Sequence, residues 1–165
     1  MNPFFRAHFQ NAYVTHDMDR CCAEIDRRFG KTDWIVFEPD MILHAPGGDL
    51  ESSVRVALGW QGSHQLEIIQ PVRGYLEHYL PAMRADASDW RPVFHHVAVR
   101  RDDPAEMRRE IAEMGFPVMF ESEVGELMTF IYIDARETVG HCIEYIWANE
   151  EGWAMQGWPK EKPVF

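Results

Sequence analysis

Two segments of this chain repeat one pattern, and an internal repeat constrains the fold more than any other sequence feature. Residues 64–69 and 141–146 both read histidine, any residue, aliphatic residue, glutamate, any residue, isoleucine. Each follows a second shared pattern, at 10–17 and 96–103, in which an amide or imidazole residue precedes a short β-like run and an aspartate. The repeat therefore pairs four possible metal ligands, one pair in each copy: Gln10 with Glu67, and His96 with Glu144.

The bulk composition indicates one compact domain, residues 1–165, with enough apolar residues for a sizeable core. The net charge of −11 repels phosphate backbones and anionic membranes, so we expect no nucleic-acid or membrane partner. No apolar run is as long as a membrane span, and the first residues lack the layout of a signal peptide. Three cysteines do not form a disulfide framework, which favours a cytoplasmic location.

The patterns of apolar residues predict a β-α-β-β-β order in each copy. In the first copy we expect a strand at 8–15, a helix at 18–29, and strands at 34–37, 54–58 and 64–70. In the second copy we expect a strand at 93–100, a helix at 104–114, and strands at 117–120, 128–134 and 141–147. The sequence thus predicts an α+β fold made of two tandem βαβββ modules, 8–71 and 93–147, whose curved mixed sheet surrounds a central cavity.

Other segments have weaker signals. Residues 40–52 contain Pro46-Gly47-Gly48 and are predicted to form a loop or mobile flap. Pro71 is expected to end its strand. The connecting segment 72–92 includes a predicted short helix at 75–80, and the tail 148–165 shows no assignable regular structure.

Strand alternation decides which way the two glutamates point. Glu67 should share a face with Gln65 and Ile69, and Glu144 a face with Cys142 and Ile146. A single strand glutamate is normally solvated, but two at equivalent repeat positions beside isoleucines suggest buried carboxylates, which must be paired or bind a metal.

The histidine and glutamine positions carry less information when they are taken singly. A single strand histidine such as His96 is more often a hydrogen-bonded core residue than a ligand, and Gln10 alone carries almost no signal. His8, two residues earlier on the same predicted face, competes with Gln10 for the first ligand position.

As a set, two carboxylates, one imidazole and one amide oxygen suit Zn, Ni, Co, Mn, Mg or Fe. Four protein ligands on a six-coordinate ion would leave two positions for adjacent oxygens of a substrate. Such a metal would acidify a proton next to a carbonyl, and a glutamate at its rim could move that proton.

These residues, in this order, resemble the vicinal oxygen chelate superfamily, especially its glyoxalase I and methylmalonyl-CoA epimerase branches. The resemblance covers residues 8–147 and is carried by Gln10, Asp17, Glu67, Pro71, His95, His96, Asp103 and Glu144. It implies paired βαβββ modules around one divalent metal, with Gln10, Glu67, His96 and Glu144 on the four ligand positions. It also implies Glu144 as the first candidate for a proton-transfer base, Glu67 as the second, and a homodimer.

One departure from that pattern concerns the strand before the second ligand. Epimerase-like members have an additional acidic base there, whereas the nearest match in this chain is Arg55. Arg55 could hold a substrate carboxylate or stabilise an enolate, and the alternative is an exposed strand arginine. Trp60 and Trp34 are further candidates for a substrate pocket, with core or interface packing as the alternative.

The sequence therefore predicts a divalent-metal-dependent lyase, isomerase or epimerase that acts by proton transfer next to a carbonyl of a small chelating substrate. One alternative is a non-catalytic drug- or metabolite-binding protein of the same fold, similar to bleomycin-resistance proteins. Another is an iron-dependent extradiol dioxygenase, which uses two histidines and one glutamate. Gln10 argues against that set unless His8 is the true ligand.

Overall fold

The computed structural model describes residues 6–159, which divide into two compact units. The first unit comprises residues 10–41 and 50–95, and the second comprises residues 6–9, 42–49 and 96–159. Most of each unit comes from one predicted repeat. Within the described residues, no helix is both long and apolar enough to cross a membrane.

The first repeat forms one helix and five strands. They are β1 (His8–Val14), α1 (Met18–Phe29), β2 (Ile35–Phe37), β3 (Asp40–Ala45), β4 (Gly48–Gln61) and β5 (His64–Gly74).

The second repeat forms four strands and three helices, of which the last lies in the tail. They are β6 (Val93–Arg101), α2 (Pro104–Met114), β7 (Val118–Val124), β8 (Met128–Ile133), α3 (Arg136–Val139), β9 (Cys142–Ala148) and α4 (Glu150–Met155).

Strand pairing follows the same order in both units. In the first unit β1 pairs in parallel with β5, β5 pairs antiparallel with β4, and β4 pairs antiparallel with β2. In the second unit β6 pairs in parallel with β9, β9 pairs antiparallel with β8, and β8 pairs antiparallel with β7. The α+β class and the repeated βαβββ order are therefore confirmed, and β3 is an additional strand of the first repeat.

Capping residues define both long helices. The Asp17 side chain accepts a hydrogen bond from the Arg20 backbone N–H, and the Asp103 side chain accepts from Ala105 and Glu106. After α2 the chain turns at Gly115, whose φ of 70° lies in the left-handed region. Both helices therefore have the bounds that the sequence predicts.

Each long helix covers one face of its unit's sheet. Met18 and Cys21 of α1 pack with Ala57 and Ile68. Residues of α2 pack in the same way on one face of the second sheet, in a core that includes Met107, Ile111, Val97, Val99, Ile131, Ile133, Ile143 and Tyr145. The candidate ligands lie on the strand faces that these helices leave uncovered.

The prediction of a loop or mobile flap at 40–52 is wrong. This segment forms β3 and the start of β4, joined by a turn at Pro46-Gly47. The imidazole Nδ1 of His44 lies 2.7 Å from the carboxylate of Asp49 across the hairpin, and Leu43 is buried. Proline and glycine here mark a tight turn between two strands instead of a long loop.

The prediction that Pro71 ends its strand is also wrong. β5 continues to Gly74, because Pro71 pairs with Val54 where the register shifts between Ser53 and Val54. A proline is tolerated at such an irregularity, since the ladder hydrogen bond that it cannot donate is already interrupted there.

Two further segments differ from the prediction. The connecting segment has turns where a helix at 75–80 was expected, followed by a 3₁₀-helix at Leu80–Ala82 that accommodates Pro81 in its first turn. The tail contains α4, whose first turn is capped by the Asn149 side chain accepting from the Gly152 N–H. The remainder of the tail, after residue 159, lies outside the described residues.

Candidate functional site

The first half-site consists of Gln10, Gln65 and Glu67 on β1 and β5. Gln10 is 2% exposed, Gln65 is fully buried, and Glu67 is 9% exposed. The Nε2 of Gln10 donates a hydrogen bond of 2.7 Å to Oε1 of Gln65. Because residues 65 and 67 alternate with Leu66 and Ile68, both point away from α1. The amide and the carboxylate therefore belong to the uncovered face of this sheet.

The second half-site consists of His96, Tyr132 and Glu144 on β6, β8 and β9. His96 is fully buried, and its Nε2 lies 3.2 Å from Oε2 of Glu144, which is 7% exposed. The hydroxyl of Tyr132 lies 3.2 Å from the same nitrogen, and the two rings meet edge to face. A buried carboxylate needs a polar or charged partner, and the imidazole of His96 is one such partner for Glu144.

The two half-sites are built on the same strand register. In the first, Gln10 pairs with Gln65, two residues before Glu67. In the second, His96 pairs with Cys142, two residues before Glu144. Both pairings are parallel, so each copy places its amide or imidazole beside its glutamate by the same backbone geometry. The sequence repeat is therefore also a structural repeat, in which the ligand positions of the two copies match residue by residue.

The donor types in these half-sites fit a divalent cation. The first half-site offers a carboxylate and an amide oxygen, and the second offers a carboxylate and an imidazole nitrogen. Each of these donor types is one that borderline and hard divalent ions bind. Cys142 lies beside His96 in the register, but burial raises the pKa of its thiol to about 11. In the absence of a metal the thiol is therefore protonated near neutral pH.

Tyr132 is the site residue that the sequence reasoning missed. It lies opposite Glu144 in the pairing of β8 with β9, and its ring stacks on Phe120 at 4.7 Å between centroids. Every residue of β8 is buried, so alternation alone did not distinguish the two faces of this strand. At the equivalent register position, the first repeat has Leu58 opposite Glu67. Only the second half-site therefore has a hydroxyl at this point.

Arg55 is not placed with Glu67. It pairs with Gln70, and strand alternation puts both on the α1 side of the sheet. Its guanidinium binds Glu38 at 2.7 Å and Asp19 at 3.0 Å, and these two carboxylates raise its pKa. Arg55 is therefore a partly buried, ion-paired arginine on the α1 side, rather than the exposed one of the alternative interpretation, and its contact with a substrate stays a prediction.

The two candidate tryptophans lie on different faces. Trp60 pairs with Gln65, so it shares the face of Glu67 and is partly buried. Trp34 packs against the core cluster formed by Met18, Cys21, Ala57 and Ile68, and its Nε1 donates to the Asp26 carboxylate at 3.0 Å. Trp60 remains a candidate for substrate contact, whereas Trp34 has the packing role that was its alternative.

The neighbouring histidines are less suited to a metal site. His8 is only partly buried, unlike the fully buried His96. His95 faces the other way from its neighbour, and its Nε2 lies 3.0 Å from the backbone carbonyl of His78. Gln10 therefore remains the first ligand candidate in the first half-site.

Comparison with solved structures identifies the fold. The methylmalonyl-CoA epimerase of Mycobacterium tuberculosis is similar with a TM-score of 0.62 at 14% identity, covering 90% of this chain and 91% of that one. A methylmalonyl-CoA epimerase in complex with methylmalonyl-CoA and ammonium gives 0.60 at 17% identity, covering 88% and 96%. An epimerase from Streptomyces coelicolor in complex with 2-nitronate-propionyl-CoA gives 0.59 at 17%, covering 86% and 96%.

These epimerases are members of the vicinal oxygen chelate superfamily. This chain has the vicinal oxygen chelate fold. The predicted resemblance is thus confirmed at the level of the fold, across nearly the whole length of both chains. No protein-family model and no curated protein sequence matches the chain.

Proposed function

We propose that this vicinal oxygen chelate protein is a divalent-metal-dependent isomerase, epimerase or lyase that moves a proton next to a carbonyl group of a small chelating substrate. The observation that carries the proposal is the shared register of the two half-sites. Each repeat buries one glutamate and, at the same offset, one amide or imidazole on the face that its helix leaves uncovered.

The proposed metal ligands are Gln10, Glu67, His96 and Glu144. The group Glu67, His96 and Glu144 has the residue types of a possible metal site. Gln10 adds an amide oxygen, which suits the same borderline and hard divalent ions. When bound, the cation would polarise the substrate carbonyl and stabilise the enolate that forms after proton removal.

The proton transfer is assigned to the two glutamates. A carboxylate oxygen of Glu144 is the first candidate to take the proton from the carbon next to the carbonyl, and Glu67 is the second. Epimerisation requires a proton removed from one side of a carbon and another delivered to the opposite side, so two such groups are useful. The position nearest to the additional acidic base of epimerase-like members holds Arg55, which is a cation on the α1 side, so we assign both proton transfers to the two glutamates.

Two neighbours of known structure hold CoA-linked ligands, which makes acyl-CoA thioesters the first substrates to test. Trp60, on the face of Glu67, is the proposed apolar contact for the substrate's body. The homodimer and the cytoplasmic location remain predictions, and gel filtration against the 19.3 kDa chain mass tests the first of them.

Proton exchange in heavy water is the experiment that tests this function. Metal-free protein loaded with Co²⁺, Mn²⁺, Ni²⁺, Zn²⁺ or Fe²⁺ is incubated with acyl-CoA thioesters, 2-oxo acids and glutathione hemithioacetals, and deuterium entry next to the carbonyl is followed by NMR. The proposal expects metal-dependent exchange that falls roughly 100-fold or more in Glu144→Gln.

Ligand binding and oxygen consumption, measured on the same metal-free and metal-loaded protein with a catechol added to the substrates, test the two alternative functions. Tight ligand binding that needs no metal, with no exchange, would indicate a binding protein. Iron-dependent consumption of oxygen with a catechol would indicate a dioxygenase. In either case the proton-transfer proposal would be overturned.

A further inference from the structure

We propose that Gln65 is a positioning residue that fixes the amide of Gln10 with its carbonyl oxygen, and not its nitrogen, available to a divalent cation. This inference rests on the proposed metal site and assigns a role to a residue outside the ligand set. Gln65 and Gln10 lie directly opposite each other in the parallel pairing of β1 with β5.

The contact between the two amides has a defined direction. The Nε2 of Gln10 donates to Oε1 of Gln65 over 2.7 Å, and the bond is buried. Gln65 is 0% exposed and Gln10 is 2% exposed, so bulk water does not replace this partner when the bond is lost. Losing a buried hydrogen-bond partner costs the desolvation of the group left behind, which keeps the two amides in this orientation.

A glutamine ligand needs such a constraint because its two ends are chemically opposite. The amide oxygen carries lone pairs and can bind a cation, whereas the amide nitrogen only donates hydrogens. Rotation of the amide by half a turn would direct N–H groups at the ion. By holding the nitrogen, Gln65 commits the oxygen of Gln10 to the ligand position.

The second half-site has a thiol, and not an amide, at the position equivalent to Gln65. Cys142 occupies the register position of Gln65, and its thiol contacts the Met119 sulfur at 3.7 Å. The ligand there is an imidazole, whose Nε2 lies near Glu144 and Tyr132. Gln65 therefore serves the repeat whose ligand is an amide, and its effect should depend on that amide.

The test is a Co²⁺ titration of metal-free protein, followed by calorimetry and by the visible absorption of bound Co²⁺. Gln65→Met is nearly isosteric and cannot accept the amide N–H well, so Co²⁺ should bind about 10- to 100-fold more weakly. Gln65→Glu keeps an acceptor for Gln10 and should bind Co²⁺ no more weakly than the unaltered protein.

The decisive comparison uses Gln10→Glu, since a carboxylate presents oxygen from either end. In the Gln10→Glu background, Gln65→Met should weaken Co²⁺ binding by less than about threefold. A carboxylate has an oxygen at both positions, so its orientation does not need to be fixed. An equal loss in both backgrounds would show a general packing role and overturn the proposal. Weaker Co²⁺ binding by Gln65→Glu than by the unaltered protein would also overturn the proposal. This variant is the second test if Gln65→Met fails to fold.

Gln70→Met is the matched control, because Gln70 lies on the same strand with its side chain toward the N-terminus of α1. It should leave Co²⁺ affinity within about twofold of the unaltered protein. If the unaltered protein binds no Co²⁺, the proposed function itself fails and this inference with it. If it binds Co²⁺ and Gln65→Met binds equally well, only the role of Gln65 is refuted.

Discussion

The Nε2 atom of His96 lies 3.2 Å from Oε2 of Glu144, although 48 positions separate them in the chain. The parallel pairing of β6 with β9 brings them together, with Glu144 two residues beyond the register partner of His96. The same offset relates Gln10 to Glu67 in the pairing of β1 with β5. A duplicated backbone geometry therefore carries two different ligand pairs, an imidazole with a carboxylate and an amide with a carboxylate.

Tyr132→Phe should destabilise the metal-free protein by about 1 kcal/mol, because the buried hydroxyl beside His96 Nε2 is removed without loss of the ring. Urea unfolding of metal-free protein measures this change. Tyr13→Phe, on the α1 side of the first sheet, is a control that should change the free energy of unfolding by less than about 0.5 kcal/mol. Equal changes in the free energy of unfolding in the two variants would mean that the contact between Tyr132 and His96 does not stabilise the fold.

Gly59→Ala should destabilise the protein by about 1–3 kcal/mol, because an added Cβ would lie 2.5 Å from Thr32 Cγ2 and 2.7 Å from the Trp34 ring. The close approach of Trp34 to the strand requires glycine at this position. Gly47→Ala is the control, since a Cβ there meets nothing within 4 Å. Co²⁺ affinity should stay unchanged in both variants, and a loss of affinity in Gly59→Ala would place Trp34 nearer the site than the structure does.

Glu110→Gln should lower the free energy of unfolding by about 3 kcal/mol, because it leaves the nearly buried guanidinium of Arg101 without its charge partner. Arg101 binds both Glu110 oxygens, at 2.6 and 2.7 Å, and Tyr145 donates to the same carboxylate at 3.1 Å. Glu106→Gln, on the same helix, removes an exposed pair and should cost under about 1 kcal/mol. Similar costs in chemical denaturation would contradict a special role for the buried pair.

Stability should fall as the pH rises above 9, because burial raises the pKa of Cys21 to about 12 and of Cys22 and Cys142 to about 11. The unfolded thiols, with a pKa near 9.0, ionise first and so favour unfolding. The contribution is fully present below pH 9 and is lost as the pH approaches 11. Cys142→Ala should show a shallower decline in urea unfolding between pH 8 and pH 10.5, and parallel curves would exclude this thiol as a cause.

The parts of the fold that the sequence predicted are those set by local signals. Asp17 and Asp103 cap their helices with side-chain hydrogen bonds to the first turn, so both helix starts were evident without tertiary information. The direction of Glu67 and Glu144 followed from alternation along a single strand. The equivalence of the two ligand pairs followed from the repeat itself.

Properties that depend on pairing between strands were not predictable in this way. Arg55 and Trp60 both lie on β4, and only the register with β5 shows that Trp60 shares the face of Glu67 whereas Arg55 faces α1. Tyr132 lies in a strand that is apolar on both faces, so its position opposite Glu144 required the pairing of β8 with β9. β5 continues through Pro71 because the register of its partner strand, β4, shifts between Ser53 and Val54. The sequence around Pro71 does not indicate this shift.

We propose that Gln10, Glu67, His96 and Glu144 bind one divalent cation. The most direct test is calorimetric titration of metal-free protein with Co²⁺, with elemental analysis of the product. We expect one ion per chain and a loss of affinity of roughly 100-fold or more in both Glu67→Gln and His96→Ala. No binding by the unaltered protein, or binding that neither substitution weakens, would contradict it.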